Sequence, residues 1–108
     1  MQLFKDKTGQ EWTLDFNIAS AKKLNARLKE FNVSFMKPET ILNRITDILF
    51  MADLLYLACK DQADERKMTD EDFGRALSCE VLFYAQKSFL KEYIEFFPDP
   101  TVQKKFKR

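Results

Sequence analysis

The stretch that decides the fold is residues 48–59, which read ILFMADLLYLAC. Asp53 is the only charged residue in it, so a helix formed by this stretch is apolar on nearly every side. A helix of that kind is buried on most of its surface in a globular protein. Its 12 residues are too few to span a bilayer, which takes roughly 20 apolar residues. We therefore predict that it is the central helix of a folded domain.

A second long helical pattern occupies residues 79–97 and ends before two prolines, Pro98 and Pro100. Its apolar residues cover an arc of about 180°, whereas a helix that faces a core needs little more than about 100°. One seam of this arc can face the core of the domain. The other can face the hairpin described next, a partner, or a second copy. The two seams are Leu82, Ala85, Phe89 and Phe96, and Phe83, Leu90, Ile94 and Phe97.

The first residues have a different pattern. Residues 11–16, EWTLDF, alternate polar and apolar side chains, as a half-buried strand does. Gly9 follows DKT at residues 6–8 and can supply the positive φ of a tight turn. The pattern predicts a β-hairpin over residues 2–16. Because a two-stranded hairpin is marginal alone, its aromatic face must pack on the helices.

Helix boundaries between these segments are marked by capping residues. Asn17 is the predicted N-cap of the first helix, and Asn32, which tolerates the left-handed conformation, lies at its end. Pro38 marks the start of the next helix. The predicted apolar stripe of the first helix is Ile18, Ala21, Leu24, Leu28 and Phe31.

Residues 39–66 fit either one long helix or two helices with a break at Thr46 or Asp47. Thr69 and Ser78 are candidate N-caps of the helices that follow. The predicted fold class is mainly α, with the N-terminal hairpin packed on a bundle of about four to five helices. We expect a single domain over residues 1–100 and a flexible basic tail over residues 101–108.

The composition favours a binding protein over an enzyme. The chain has no histidine, so the Ser–His and Cys–His nucleophile pairs are excluded, and it has no glycine-rich phosphate loop. The acidic residues within 61–72 lack the spacing of a calcium loop. Asp53 could carry a raised pKa and transfer protons, although pairing with a cation, capping of a neighbouring turn or an outward position at a gap in the packing explains it more simply. We predict no catalytic, cofactor-binding or metal-binding residue.

Charge and cysteine content limit the partners and the compartment. The formal net charge is +1, but the last residues, KKFKR at 104–108, carry four positive charges, so residues 1–103 sum to about −3. A body of that sign is a poor surface for nucleic acid. Cys59 and Cys79 are expected to be small buried residues in a reducing compartment. With charged residues near the amino terminus in place of a signal sequence, this indicates a cytoplasmic protein.

Several short segments, in this order, resemble the small tail assembly chaperones of long-tailed bacteriophages over roughly residues 3–98. The segments are EWTL at 11–14, AKKL at 21–24, LLYL at 54–57, DQADER at 61–66, TDEDFG at 69–74 and FFP at 96–98. The resemblance implies a non-enzymatic, mostly helical protein without a cofactor. It would bind the tape-measure protein in the infected cell before the tail tube polymerises. Such chaperones are often made in two lengths by ribosomal frameshifting.

The apolar arc in excess of what a small core needs gives the candidate binding residues. We expect the surplus seam and the connector after the first helix to contact a tape-measure or tail-tube protein, or another copy of the chain. These candidates are Phe31, Phe35, Met36, Phe83, Leu90, Ile94 and Phe97. One alternative is a phage-encoded inhibitor of a host defence protein, with the acids at 61–72 imitating nucleic acid. The other is a small RNA-binding protein that uses the basic tail.

Overall fold

The computed structural model describes residues 1–97, which form a two-stranded antiparallel hairpin and six α-helices. It confirms the mainly α class and the packing of the hairpin on the helices. The predicted tail over residues 101–108 lies outside the described residues. The elements are β1 (Gln2–Lys5), β2 (Glu11–Leu14), α1 (Ile18–Leu28), a 3-10 turn (Lys29–Phe31), α2 (Pro38–Leu42), α3 (Ile48–Ala58), α4 (Lys60–Glu65), α5 (Asp70–Arg75) and α6 (Cys79–Phe96).

A buried carboxylate organises the hairpin turn. The Asp6 carboxylate accepts hydrogen bonds from the backbone N–H groups of Thr8, at 2.8 Å, and Gln10, at 3.1 Å. Its second oxygen accepts the indole N–H of Trp12 at 3.0 Å. Gly9 has φ +86°, the conformation predicted for it. The turn therefore fixes the position of Trp12, which is fully buried.

The outer edge of β2 is covered by side chains of α4. The amide group of Gln62 accepts from the Thr13 N–H at 2.9 Å and donates to the Thr13 carbonyl at 2.8 Å. The Arg66 guanidinium donates to the Glu11 carbonyl at 2.8 Å. These bonds satisfy backbone groups that an isolated strand would leave open to another chain.

Helix α6 holds the other side of the hairpin. The Ser88 hydroxyl donates to the Leu3 carbonyl on β1, at 2.8 Å. The buried Glu92 carboxylate accepts the backbone N–H of Phe16, just after β2, at 2.8 Å. Polar contacts from α4 and α6 thus join the hairpin to the helices, as its marginal stability alone requires.

The observed capping residues are the ones predicted from the sequence. Asn17 and Thr69 each form a capping box, Ser78 caps α6, and Asn32 is left-handed with φ 57°. Asp47 accepts the N–H groups at the start of α3, at 3.0 and 3.2 Å. Residues 39–66 are therefore neither one helix nor two, which corrects both expectations: α2 ends at Leu42, α3 begins after the Asp47 cap, and α4 follows α3 after Cys59.

Aromatic rings fill the centre of the core. Phe35 is fully buried, and its ring centroid lies 5.0 Å from that of Tyr93 and 5.2 Å from that of Phe16. The ring pairs meet edge to face, the arrangement that the ring quadrupoles favour. The hydroxyl of Tyr93 donates to the carbonyl of Phe35. This bond ties α6 to the connector between the 3-10 turn and α2.

Two sequence expectations about buried helix faces need correction. Helix α3 buries Phe50 and Leu54 on one side, but Ile48 is 54% exposed and Leu49 77% exposed at its first turn. Ile18 was expected in the buried stripe of α1 and is 64% exposed. In both cases the exposed residues lie in the first turn of the helix. These ends leave apolar surface in contact with water.

We expect replacement of Asp6 by alanine to lower the free energy of unfolding by about 2–3 kcal/mol, because the buried indole N–H of Trp12 loses its acceptor. Urea denaturation of the two proteins measures the difference. Asp15→Ala is the matched control, since the Asp15 side chain is exposed and makes no hydrogen bond within residues 1–97. Equal stability of the Asp6→Ala variant and the parent would contradict the role of this carboxylate.

The same carboxylate predicts a pH dependence. Burial acts to raise the pKa of Asp6, but the hydrogen bonds from Thr8, Trp12 and Gln10 outweigh burial and hold it below its ordinary value. A folded-state pKa below the unfolded one stabilises the protein above about pH 4, and the contribution is lost as the pH falls through the folded value. The stability difference between parent and Asp6→Ala should therefore shrink in acid. A difference that grows below pH 4 would contradict this assignment.

Candidate partner-binding surface

An apolar groove lies between the first turns of α3 and α6. We call it the α3–α6 groove, and its volume is about 310 Å³. The caps at Asp47 and Ser78 begin the two helices at this point. The lining residues are Ile45, Thr46, Ile48, Met51, Cys79, Leu82, Phe83 and Gln86.

Two aromatic side chains stand beside this groove on α6. Phe83 is 54% exposed, and its ring meets that of Tyr84 edge to face at 5.5 Å. The ammonium nitrogen of Lys87 lies 4.4 Å from the centre of the Phe83 ring, which is a cation–π contact. These contacts hold the Phe83 ring at the rim while leaving half of its surface open to water.

A second apolar depression, which we call the α1 pocket, lies on another part of the surface. Its volume is about 230 Å³, and its lining is Ile18, Ala21, Lys22, Asn25 and Met36. Met36, on the connector before α2, is 54% exposed. No residue lines both this pocket and the α3–α6 groove.

A third, polar cleft of about 340 Å³ lies between the hairpin, α1 and α4. Two of its cations share one acid: Lys23 and Arg27 lie 3.2 and 2.8 Å from the carboxylate oxygens of Asp61. The hydrogen bonds from Arg27 and then Lys23 lower the pKa of Asp61. Because Asp15 also lines the cleft, its two cations and two acids balance, and the cleft offers weak recognition of a charged ligand.

The candidate residues from the sequence do not form one surface. Phe83 and Met36 are exposed, but they lie at separate sites, the groove and the α1 pocket. Phe31, Leu90 and Phe97 are partly buried and pack against the core. Ile94 is also partly buried.

Phe35 requires a correction, because it is fully buried in the core between Phe16, Tyr93 and Phe96. The sequence placed it in a connector, where an apolar residue is easily taken for exposed surface. The connector instead folds back on α1, which carries this ring inward.

The sequence did not identify Ile48 and Ile18 as surface residues. Helical periodicity predicts which side of a helix is apolar, but it does not show which residues on that side are covered by a neighbouring element. Cys79 is a related correction. It was expected to be buried, but it is exposed, because it is the first residue of α6 and lies in the groove lining. Cys59 is buried as expected.

Several of the acids at 61–72 are engaged in contacts within the protein. Asp64 pairs with Lys60 at 3.1 Å and Glu71 with Arg75 at 2.6 Å, while Asp72 belongs to the cap of α5. Residues 1–97 hold no group of three or more cysteines and acids placed to bind a metal ion. These contacts give no support to an acidic surface that imitates nucleic acid.

Asp53 is half-buried on α3 and lines none of the three depressions described above. Burial raises its pKa, and the nearby carboxylates of Asp70, Asp47 and Glu30 act in the same direction.

None of the helices formed by residues 1–97 combines the length and apolarity that a bilayer crossing needs. Comparison of the chain with models of protein families, with curated protein sequences and with solved structures finds no match. The function is therefore inferred from the surface depressions described above.

We expect N-ethylmaleimide to modify Cys79 and to spare Cys59 in the folded protein. The thiolate is the reactive form, and burial raises the pKa of Cys59 to about 12. Intact mass and peptide mapping should show one adduct, on Cys79. The Cys79→Ser variant should stay unmodified until urea is added. Modification of Cys59 at a similar rate in the folded protein would contradict the described core.

Proposed function

We propose that this protein is a non-enzymatic assembly chaperone of a long-tailed bacteriophage. It binds apolar helical segments of the tape-measure protein during tail morphogenesis. The observation that carries the proposal is the α3–α6 groove, whose rim exposes Ile48 and Phe83 to water. A groove between two helices with apolar walls suits the apolar face of a third helix.

The arrangement of α6 supports a lasting exposure of this surface. Ala85, Phe89 and Tyr93 are fully buried and fix the side of α6 that faces inward. Phe83 lies about 120° around the helix axis from Phe89, at about 100° per residue. Rotation of α6 that carried Phe83 into the core would therefore carry Phe89 out of it. An apolar ring held at the surface in this way favours a role in contact with another chain.

The size of the exposed area supports a reversible complex. Full burial of one large apolar side chain is worth about 1.5–3 kcal/mol, so burial of the open halves of Ile48 and Phe83 supplies about 1.5–3 kcal/mol in total. The remaining affinity must come from other contacts along the client. A moderate affinity fits a chaperone that has to release its client when the tail tube polymerises.

The absence of histidine in the chain supports a non-enzymatic role, as does the pairing of the charged groups in the polar cleft. The resemblance in layout to phage tail assembly chaperones supplies the client class. The tape-measure protein is a long apolar helical chain, which is the kind of ligand that the groove would accept.

The test is co-expression of a tagged copy with the tape-measure protein encoded in the same genome. We expect the double variant Ile48→Ser, Phe83→Glu to reduce the co-purified client at least about tenfold, because both walls of the groove lose apolar surface. Both side chains are exposed, so far-ultraviolet circular dichroism should show an unchanged helix content.

The matched control is Leu49→Ser, which removes a more exposed apolar residue that does not line the groove. This variant should retain the client. The proposal is wrong if the double variant retains the client at the level of the parent. It is equally wrong if Leu49→Ser loses as much client as the double variant does.

A further inference from the structure

The α1 pocket has exposed apolar walls and one basic residue, Lys22, in its lining. Ile18 at the start of α1 and Met36 on the connector form its apolar walls, and the side chain of Lys22 also lines it. We propose that the α1 pocket is a second docking site, which binds an acidic amphipathic helix of a protein partner.

The pocket is held in shape by hydrogen bonds inside the protein. The side-chain oxygen of Asn25 accepts the backbone N–H of Phe35 at 2.8 Å and the hydroxyl of Ser34 at 3.2 Å. The hydroxyl of Thr40 accepts the backbone N–H of Ser34 at 3.0 Å. These bonds fix the connector that carries Met36 against α1. A site that needs no ordering on binding retains more of its interaction energy as affinity.

The charges around α1 indicate that the partner bound in the pocket is acidic. Helix α1 contains Lys22, Lys23 and Arg27 and no acidic residue. Lys23 and Arg27 are paired with Asp61 in the polar cleft. Lys22 lines the α1 pocket and makes no ion pair within residues 1–97.

Two further exposed lysines are close in sequence to residues that line the pocket. Lys29 directly follows α1, and Lys37 directly follows Met36. The excess of positive charge is local, since residues 1–103 as a whole sum to about −3. Apolar walls beside unpaired lysines complement a helix with an apolar stripe flanked by carboxylates.

This site and the α3–α6 groove share no residue, so the inference does not rest on the proposed function. The two sites also differ in their contacts. The exposed lysine beside the groove, Lys87, makes a cation–π contact with the Phe83 ring. Lys22 in the α1 pocket, by contrast, remains available to an incoming carboxylate.

The experiment uses two synthetic peptides of about 18 residues, long enough to form a helix when bound. Both carry the same leucines at helical spacing, and their flanking positions are all glutamate in one and all lysine in the other. Each is titrated into the full chain carrying labelled isoleucine and methionine methyl groups. We expect the glutamate peptide to shift the Ile18 and Met36 signals saturably, with an affinity that falls as salt is added.

The variant Lys22→Glu should weaken the glutamate peptide about tenfold. Lys91→Glu, on the exposed side of α6, is the matched control and should leave binding unchanged. Equal binding of the two peptides, or no effect of Lys22→Glu, would overturn the proposal. So would shifts of Ile18 and Met36 that follow protein concentration without peptide, because a second copy of the chain would then be the occupant. Shifts at Ile48 alone would also overturn it.

Discussion

The burial of one side of α6 is the constraint on which the rest of the structure depends. Ala85, Phe89 and Tyr93 face inward with no exposed surface, and the hydroxyl of Tyr93 is bonded to the carbonyl of Phe35. A two-stranded hairpin cannot stand alone, so it needs this side of α6 as its support. Helix α6 has apolar residues over a wider arc than one side can bury. The direction of the buried side therefore decides which apolar residues remain in water.

One apolar surface, between α3 and α6, follows from this division of the apolar residues, and a second one, beside α1, contains no residue of α6. Each includes an exposed isoleucine at the first residue of a helix, Ile48 on α3 and Ile18 on α1. The edge of β2, by contrast, is covered by Gln62 and Arg66. Recognition by helix docking is thus better supported by the fold than recognition by strand addition.

Local chemistry made much of the fold predictable from the sequence. Asn17, Asp47, Thr69 and Ser78 each satisfy free N–H groups at a helix start, and this role depends on neighbours only a few residues away. Gly9 is similar, since its positive φ is a local requirement of the turn. Such features can be recognised without knowledge of the tertiary packing.

The candidate site was less predictable, because exposure is decided by elements distant in the sequence. Phe35 is buried by rings from residue 16 and from α6, and nothing within the connector itself indicates this. Cys79 was expected inside as a lone cysteine, and Ile48 because its helix is apolar, yet both lie on the groove between α3 and α6. The sequence indicated more apolar surface on α6 than a core needs. The packing of α6 against α3 shows that the exposed part lies at Phe83, beside the groove.

The most direct test of the account is a methyl nuclear magnetic resonance spectrum of the chain bound to the tape-measure protein, with isoleucine and methionine methyl groups labelled. The account predicts intermolecular contacts from the methyl group of Ile48, which is exposed on the groove, and a shift of the Met51 signal, since Met51 lines the groove although it is almost fully buried. It predicts none from Ile41, which is fully buried. A saturated complex in which the Ile48 and Met51 signals remain unchanged would contradict it.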